Sequence, residues 1–249
     1  MITKNTVAII PVHVYGNVCN VETIQQIAEQ YSLKVIYDAA HAFGVSYKGK
    51  GIGCYGDASI FSFHATKVFN TIEGGAVAFS DHKLFDRLYN LKNFGIRGEE
   101  CVVEVGANAK MNEFCAIMGL CNLQHMDCAL YERKKRFEWY EERLKDIKGI
   151  HLFEKKKGAD RNFGYFPIIV GDEYCMKRDR LYDLFKEKGI MCRKYFYPLT
   201  CDQVCFKNIY QEDELNNARE LSEKILTLPL YEELELEHMK RIIEVIREL

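Results

Sequence analysis

The chain has 249 residues, of which 48% are hydrophobic, and a formal net charge of −2. This composition is sufficient to bury a core in one or two domains, and the charge gives no reason to expect a nucleic acid or an anionic membrane as partner. No stretch approaches the roughly 18 consecutive apolar residues of a membrane span. The ten cysteines include no C-x-x-C pair, and no histidine pair has zinc spacing, so no metal site is predicted. The first residues lack a signal-peptide pattern, so we expect a cytoplasmic protein with reduced thiols.

The first part of the chain alternates between short apolar runs and an amphipathic stretch. Residues 7–12 and 33–37 are predicted strands, and Val21–Tyr31 between them has apolar residues at helical spacing. Strand, helix and strand at this spacing form a βαβ unit, so the two strands should be parallel. Further strands are predicted at Ala58–Ser62 and Gly75–Phe79.

The pattern becomes mainly helical from residue 81. Residues 111–148 predict a long helical region with Glu, Lys and Arg on its polar face, and the pattern allows a break near Asp127. Beyond it we predict strands at 163–170 and 190–194 and helices at 176–188, 213–224 and 235–249. This alternation indicates a second, smaller α/β domain. We therefore assign residues 1–130 to a large domain and 131–249 to a small one.

Three short segments contain the residues that could perform chemistry: D-A-A-H-A-F-G (38–44), S-F-H-A-T-K (62–67) and E-G-G (73–75). Taken singly they are weak, because an aspartate after a strand is commonly a cap, a lysine is commonly surface, and Gly-Gly is commonly a turn. However, Asp38 and Ser62 fall at the carboxyl ends of predicted strands, where ligands gather in open α/β sheets. The order of the three segments along one predicted sheet favours a functional site over an unrelated cap, surface lysine and turn.

These residue types suit the chemistry of pyridoxal 5′-phosphate (PLP). A lysine amine must form a Schiff base with the cofactor aldehyde and later move a proton, so its pKa of about 10.4 has to be lowered. An aspartate keeps the pyridine nitrogen protonated. Hydroxyl groups and backbone N–H groups hold the phosphate.

The segments resemble the DegT/DnrJ/EryC1/StrS family of fold-type I aminotransferases, which act on nucleotide-linked keto sugars. The family pattern runs D-A-A-[HQ]-[AS]-x-G, then S-F-[HY]-x-x-K, then E-G-G. Further matches are P-V-H-V-Y-G (11–16), N-F-G-I-R-G (93–98), G-A-N-A-K-M-N-E-F (106–114) and Y-F-Y-P-L (195–199). The resemblance implies an α/β fold that combines the C-terminal part of the large, mostly parallel-sheet PLP domain with a small C-terminal α/β domain.

The resemblance also implies a role for each matching residue. Lys67 is similar to the Schiff-base lysine, and Asp38 to the partner of the pyridine nitrogen. His41 takes the place beside the cofactor ring where the family has Gln or His, and Ser62 resembles the phosphate-binding serine. Asn108 resembles an asparagine that reaches the phosphate of the neighbouring subunit's cofactor, which implies a homodimer.

Each of these assignments has a simpler alternative. Lys67 and Asp38 could be a surface lysine and a capping aspartate, His41 could be packing, and Ser62 could be a turn hydroxyl. Weaker candidates, for contact with the substrate, are His13, His64, Arg193 and Tyr195. The two histidines could equally be core or loop residues, and the arginine beside an aromatic ring could be packing.

The expected function is transfer of an amino group, from glutamate or a similar donor, to a keto sugar carried on a nucleoside diphosphate. Residues 93–98 and 106–114 look most like family members acting at C4 of a dTDP-linked 4-keto-6-deoxyhexose, whose products enter surface polysaccharides. Relative to the family pattern, the N-terminal third is expected to be absent. The chain alone should then expose an apolar patch and bind PLP weakly. The alternative is a non-catalytic remnant or binding protein that keeps the fold.

Overall fold

The structure of the chain is a computed structural model and describes residues 2–206 and 215–247. These residues divide into two units, each with its own hydrophobic core. The first unit runs to Cys128 and also contains Lys156–Asn162, whereas the second consists of Ala129–Lys155 and the chain from Phe163 onward. The domain boundary at residue 130 stays a prediction.

Within residues 2–128, the first unit contains eight strands, two complete α-helices and the first part of a third. In chain order they are β1 (Ala8–Ile9), α1 (Val21–Tyr31), β2 (Lys34–Asp38), β3 (Ser46–Tyr47), β4 (Lys50–Gly51), β5 (Ala58–Ser62), β6 (Gly75–Phe79), α2 (Leu84–Lys92), β7 (Ile96–Gly98), β8 (Cys101–Val102) and the first part of α3 (Glu113–Leu144). Four strands form one sheet in the order β1-β2-β5-β6, in which the first three are parallel and β6 is antiparallel to β5. The structure confirms the parallel βαβ unit and the two strands predicted after it.

The first strand is shorter than the predicted strand at residues 7–12. Pro11 has no N–H to donate, so the ladder between β1 and β2 is interrupted there. The chain rejoins the sheet at Val12, which forms a single bridge with Asp38. Helix α1 has the predicted bounds, because Asn20 caps its first turn by accepting the N–H of Thr23.

One face of the four-stranded sheet is covered. Val35 and Tyr37 of β2 are each 1% exposed and belong to the same core cluster as Val21 and Ala28 of α1. Side chains alternate along a strand, so the residues between them point to the other face. The amphipathic pattern of α1 is thus explained by a single buried stripe against one side of the sheet.

The opposite face of the sheet has an exposed apolar strip, which we define as Ile10, Val12, Ile60 and Val77. The register pairs Asp38 with Ile60 and Ile60 with Val77, so these three side chains share a face. Ile60 is 46% exposed and Val77 44% exposed. Val12, which bridges to Asp38, is 45% exposed, and Ile10 is 65% exposed. The expected apolar patch is therefore present, on the same face as Asp38.

The second unit is built on a three-stranded antiparallel sheet in the order β12-β11-β9. Its elements are β9 (Ile150–Leu152), β11 (Phe166–Val170), α4 (Arg178–Glu187), α5 (Asn216–Lys224), β12 (Ile225–Leu228) and α6 (Leu236–Arg247), and β10 (Ala159–Asp160) lies in the segment that belongs to the first unit. Fully buried Leu181, Phe185 and Leu226 pack in its core. The predicted helix ends at 213–214 and 248–249 lie outside the described residues.

Three features of this half of the chain differ from what the sequence indicated. Helix α3 is continuous through Asp127, because the intervening sequence contains no proline that would break it. Residues 190–194 do not form a strand: only Arg193 pairs, exchanging both backbone hydrogen bonds with Thr227, and the chain then turns. Strand Ile225–Leu228 was not predicted, because a short, fully buried apolar run carries no strand periodicity. Within residues 2–206 and 215–247, no helix is long and apolar enough to span a membrane.

The exposed apolar strip should bind a hydrophobic dye. We expect the double substitution Ile60→Thr and Val77→Thr to lower the fluorescence of bound anilinonaphthalene sulfonate clearly, because both side chains lie on the uncovered face and threonine keeps a β-branched shape. The control Val105→Thr changes a residue that is 94% exposed outside the strip and should have a smaller effect. Equal dye binding by the wild type and the double variant would show that the face is covered in solution.

Candidate active site

Backbone pairing on both sides fixes Asp38 at the end of β2. Its N–H donates to the carbonyl of Pro11 at 2.9 Å, and its own carbonyl accepts the N–H of His13 at 2.9 Å. On the other side, the N–H of Ala39 donates to the carbonyl of Ile60 at 2.9 Å. The carboxylate oxygen Oδ1 accepts the N–H of Ala40 at 3.0 Å. The carboxylate is thus half-buried and oriented by the first turn after the strand.

A tight loop after β5 presents Lys67. The Oγ of Ser62 accepts the N–H of His64 at 3.4 Å, and the N–H of Lys67 donates to the carbonyl of His64 at 2.9 Å. The Nδ1 of His64 lies 2.9 Å from the Oγ1 of Thr66. Asn122 of α3 holds the far end of the loop by donating to the carbonyl of Asn70 at 2.8 Å. Local hydrogen bonds therefore fix the backbone position from which the Lys67 side chain extends.

Three aromatic rings join the lysine loop to the loop that follows Asp38. Phe43 stacks on Phe69 with ring centroids 4.5 Å apart and meets the edge of Phe63 at 5.2 Å. Phe63 and Phe69 are themselves 4.8 Å apart in a T-shaped arrangement. Such clusters stabilise by burial and by ring electrostatics. The D-A-A-H-A-F-G and S-F-H-A-T-K segments consequently pack as one body.

Asp38, His41 and Lys67 are close enough for their charges to interact. Burial lowers the pKa of Lys67 from its ordinary value, and the negative charge of Asp38 opposes that shift. Burial and, to a smaller extent, the charge of Lys67 lower the pKa of His41 to about 4, against an opposing effect of Asp38. The imidazole is therefore neutral near pH 7. Its Nδ1 accepts the N–H of Tyr15 at 3.1 Å, so the ring proton is on Nε2.

Tyr15 contacts the site, although it was not singled out as a site residue. Besides donating its N–H, it lies parallel to the His41 ring, with centroids 6.4 Å apart and planes 15° apart. Its φ of 57° lies in the left-handed region that few non-glycine residues adopt. The signal was its place within the P-V-H-V-Y-G segment. Asn162, which donates to the carbonyl of His41 at 2.8 Å, had no sequence signal.

The ring of His13 lies on the other face of the sheet from Asp38. Its ring is fully buried and stacks on Tyr37 at 4.6 Å, on the covered face of the sheet, and its Nδ1 accepts the N–H of Cys19 at 3.0 Å. Burial, with a contribution from Lys156, lowers the pKa of His13 to about 4, against an opposing effect of Asp38. This geometry fits the packing alternative for His13.

The remaining predicted residues are exposed or lie in the second unit. His64 is exposed, with its Nε2 3.7 Å from the carboxylate of Glu73. Asn108 is exposed, bridges to Asn93 and accepts a hydrogen bond from Lys110 at 3.1 Å. In the second unit, the guanidinium of Arg193 donates to the hydroxyl of Tyr195 and lies 5.1 Å from the centre of its ring. In the part of the chain that is described, no three His, Cys, Asp or Glu side chains are grouped to hold a metal ion.

Comparison with known proteins identifies the family of the chain. Residues 1–247 match the model of the DegT/DnrJ/EryC1/StrS aminotransferase family. The chain belongs to this family. It is 42% identical over 248 residues to a dTDP-4-amino-4,6-dideoxy-D-glucose transaminase of Shigella dysenteriae, an alignment that covers 100% of this chain and 68% of that protein. The family uses PLP and includes enzymes of nucleotide sugars.

Solved structures of the family confirm the predicted fold-type I α/β architecture. DesI, crystallised in the presence of its TDP-sugar product, superposes with a TM-score of 0.92 at 29% identity, covering 99% of this chain and 63% of that one. The PLP form of Spr1654 from Streptococcus pneumoniae gives 0.90 at 25% identity, covering 99% and 69%. The chain thus spans about two thirds of the length of the relatives it matches.

The side chains of the site suit PLP. The cofactor requires an amine that can lose its proton, and Lys67 is the lysine in the cluster whose pKa burial lowers. It requires a carboxylate for the pyridine nitrogen, and Asp38 is held by backbone bonds at a strand end. The neutral imidazole of His41 and the hydroxyl of Ser62 are also available to bind the cofactor. The residues that are present therefore fit the group that the family uses.

Acid should destabilise the folded chain through His13 and His41, whose pKa values are both lowered. An unfolded histidine takes up a proton near pH 6.5, whereas His13 and His41 resist protonation until about pH 4. The unfolded state therefore binds more protons in this window, and the free energy of unfolding falls as the pH drops from 6.5 to 4. The substitution His41→Gln should reduce the slope of the free energy of unfolding against pH in this window, by at most about 1.4 kcal/mol per pH unit. Urea unfolding at several pH values measures this, and identical slopes in both proteins would refute it.

Proposed function

We propose that this chain provides the lysine-bearing site of a PLP-dependent aminotransferase that acts on a nucleotide-linked keto sugar. The observation that carries the proposal is the cluster of Asp38, His41 and Lys67 at the carboxyl end of the sheet, in which Asp38 acts on the pKa of both other groups. The sugar we propose is a dTDP-linked 4-keto-6-deoxyhexose, with glutamate as amino donor. Support comes from the 42% identity to the Shigella dysenteriae transaminase.

Bound PLP would supply an aldehyde for a covalent link to an amine and a protonated ring that withdraws electrons. In our proposal the amine is that of Lys67, which would also hold and return the proton that moves during transfer. Asp38 would face the pyridine nitrogen and keep its proton. His41 would lie beside the ring, as a neutral donor through Nε2–H. The hydroxyl of Ser62 would bind the phosphate.

The lowered pKa of Lys67 fits this role. A fully protonated amine has no lone pair with which to attack a carbonyl. Burial removes water from the charged form of Lys67, and Asp38 limits the shift by stabilising that same form. Burial therefore favours loss of the proton from Lys67, and Asp38 favours its retention.

The remaining residues of the prediction have weaker support. Asn108 would reach the cofactor phosphate of a second copy of the chain, and its exposure is compatible with such a homodimer. His64, Arg193 and Tyr195 would contact the nucleotide sugar or the amino donor, and all three have polar groups at or near the surface. A cytoplasmic location stays a prediction.

A second candidate function is that of a non-catalytic family member. The exposed apolar strip beside Asp38 favours it, because a parallel sheet normally has both faces covered and PLP enzymes need a site that excludes water. The intact set of Lys67, Asp38 and Ser62 favours the enzyme. The two candidate functions predict different effects of an amino-acid donor on the attachment of PLP to Lys67.

Reductive trapping tests the cofactor assignment. PLP at millimolar concentration followed by borohydride should leave a phosphopyridoxyl label on Lys67, because its amine has a lowered pKa and lies near a carboxylate. Peptide mapping by mass spectrometry locates the label. Lys67→Ala should lose it, whereas Lys83→Ala, at an exposed helix end, should keep it. A label distributed equally over surface lysines would refute the assignment.

Glutamate distinguishes the two candidates in the same assay. If the chain transfers amino groups, glutamate added before borohydride should decrease the label on Lys67 severalfold, since the donor displaces the lysine. A non-catalytic protein should keep its label unchanged. Glycerol or acetate at equal concentration serves as the control.

Asp38 should control the pH at which Lys67 reacts. The carboxylate raises the pKa of the lysine, so Asp38→Asn should lower that pKa further and move the pH midpoint of labelling downward. The total label at saturating PLP can still fall, because the ring nitrogen loses its charged partner. The measurement is the labelled fraction of Lys67 against pH in both proteins. A midpoint that stays in place or rises would contradict the proposed interaction.

A further inference from the structure

Asn162 holds the loop that follows Asp38. Its side chain is 3% exposed, and its Nδ2 donates both protons: one to the carbonyl of His41 at 2.8 Å and one to the carbonyl of Phe43 at 2.8 Å. A side-chain amide has two such donors, and here both satisfy loop carbonyls. One buried amide therefore fixes the backbone at two points beside the proposed cofactor site.

The segment Lys156–Asn162 is anchored to the first unit by three further contacts. Strand β10 pairs antiparallel with β3, with Asp160 opposite Ser46. The hydroxyl of Ser46 donates to the carboxylate of Asp160 at 2.8 Å. The ammonium group of Lys156 donates to the carbonyl of Cys19 at 2.7 Å. The residues before and after this segment belong to the second unit. We call Lys156–Asn162, which packs on the first unit, the strap.

Asn162 also packs against the turn that contains Tyr15. Gly16 has φ +81°, and a Cβ at that position would lie 2.8 Å from the Oδ1 of Asn162 and 3.1 Å from the carbonyl of His41. The turn, the amide and the His41 backbone are therefore in direct contact. The same turn donates the N–H of Tyr15 to the Nδ1 of His41. Asn162 consequently lies between the two backbone segments that orient the imidazole.

We propose that Asn162 is a positioning residue for the PLP site, acting through His41. It contacts neither the cofactor nor the substrate in this proposal. Its two hydrogen bonds keep the His41 backbone against the Tyr15 turn, so that the N–H of Tyr15 reaches Nδ1 and the ring presents Nε2–H. The inference rests on the proposed function, since it assigns a role to the surroundings of that site.

The test compares two variants of the strap. Asn162→Asp keeps the shape of the side chain but replaces the donating amide by an oxygen that repels both carbonyls. Ser46→Ala removes the strap contact with Asp160 and leaves the loop carbonyls bonded. The first readout is the PLP concentration that gives half of the maximal borohydride label on Lys67. We expect it to rise about tenfold in Asn162→Asp and to stay within about twofold in Ser46→Ala.

The second readout distinguishes a positioning role of Asn162 from a general destabilisation of the fold. The imidazole nitrogen resonances of His41, assigned by comparison with His41→Gln in ¹⁵N-histidine-labelled protein, report which nitrogen carries the proton. They should show the Nε2–H form in the wild type and in Ser46→Ala, and a mixture of forms in Asn162→Asp. Unchanged resonances and an unchanged half-saturating concentration in Asn162→Asp would overturn the proposal, as would equal changes in Ser46→Ala.

A third variant covers the case in which Asn162→Asp does not fold. Asn162→Ser keeps one hydroxyl donor and should raise the half-saturating concentration by an intermediate factor of about three, for one lost bond. Wild-type behaviour of this variant would contradict the role of Asn162. If wild-type Lys67 acquires no label at all, the proposed function fails, and that result is distinct from a failure of Asn162.

Discussion

The backbone hydrogen bonds on both sides of Asp38 are the constraint on which the site depends. They join β2 to the chain after β1 and to β5, and they determine which face of the sheet each neighbouring residue occupies. A slip of one residue in this register would move the carboxylate to the face covered by α1. The position of Lys67 follows from the same pairing, because its loop begins where β5 ends.

Local sequence was sufficient to predict the central elements of the first unit. Val21–Tyr31, Ala58–Ser62 and Gly75–Phe79 have the predicted bounds, since amphipathic spacing and short apolar runs are decided by nearby residues. The motifs D-A-A-H-A-F-G and S-F-H-A-T-K predicted which side chains meet. Asp38 acts on the pKa of both His41 and Lys67, and the roles of the three residues remain proposals.

Features that depend on distant parts of the chain could not be predicted in this way. Strand β12 is fully buried and pairs with β11, so its strand character comes from tertiary contacts rather than from alternation. Asn162 lies outside every recognisable motif, and its place beside His41 depends on the pairing of β10 with β3. His13 illustrates the converse: it belongs to a motif, yet it lies on the covered face and stacks on Tyr37.

The shared face of Asp38, Ile60 and Val77 links solvent exclusion to the strength of charge interactions. Any polypeptide that came to lie on Ile60 and Val77 would also displace water from beside the carboxylate. Charges interact more strongly when the surrounding medium is less polarisable, so the attraction between Asp38 and Lys67 would grow with such a cover. Covering the exposed apolar strip would then strengthen the interaction between Asp38 and Lys67 without any direct contact with the lysine.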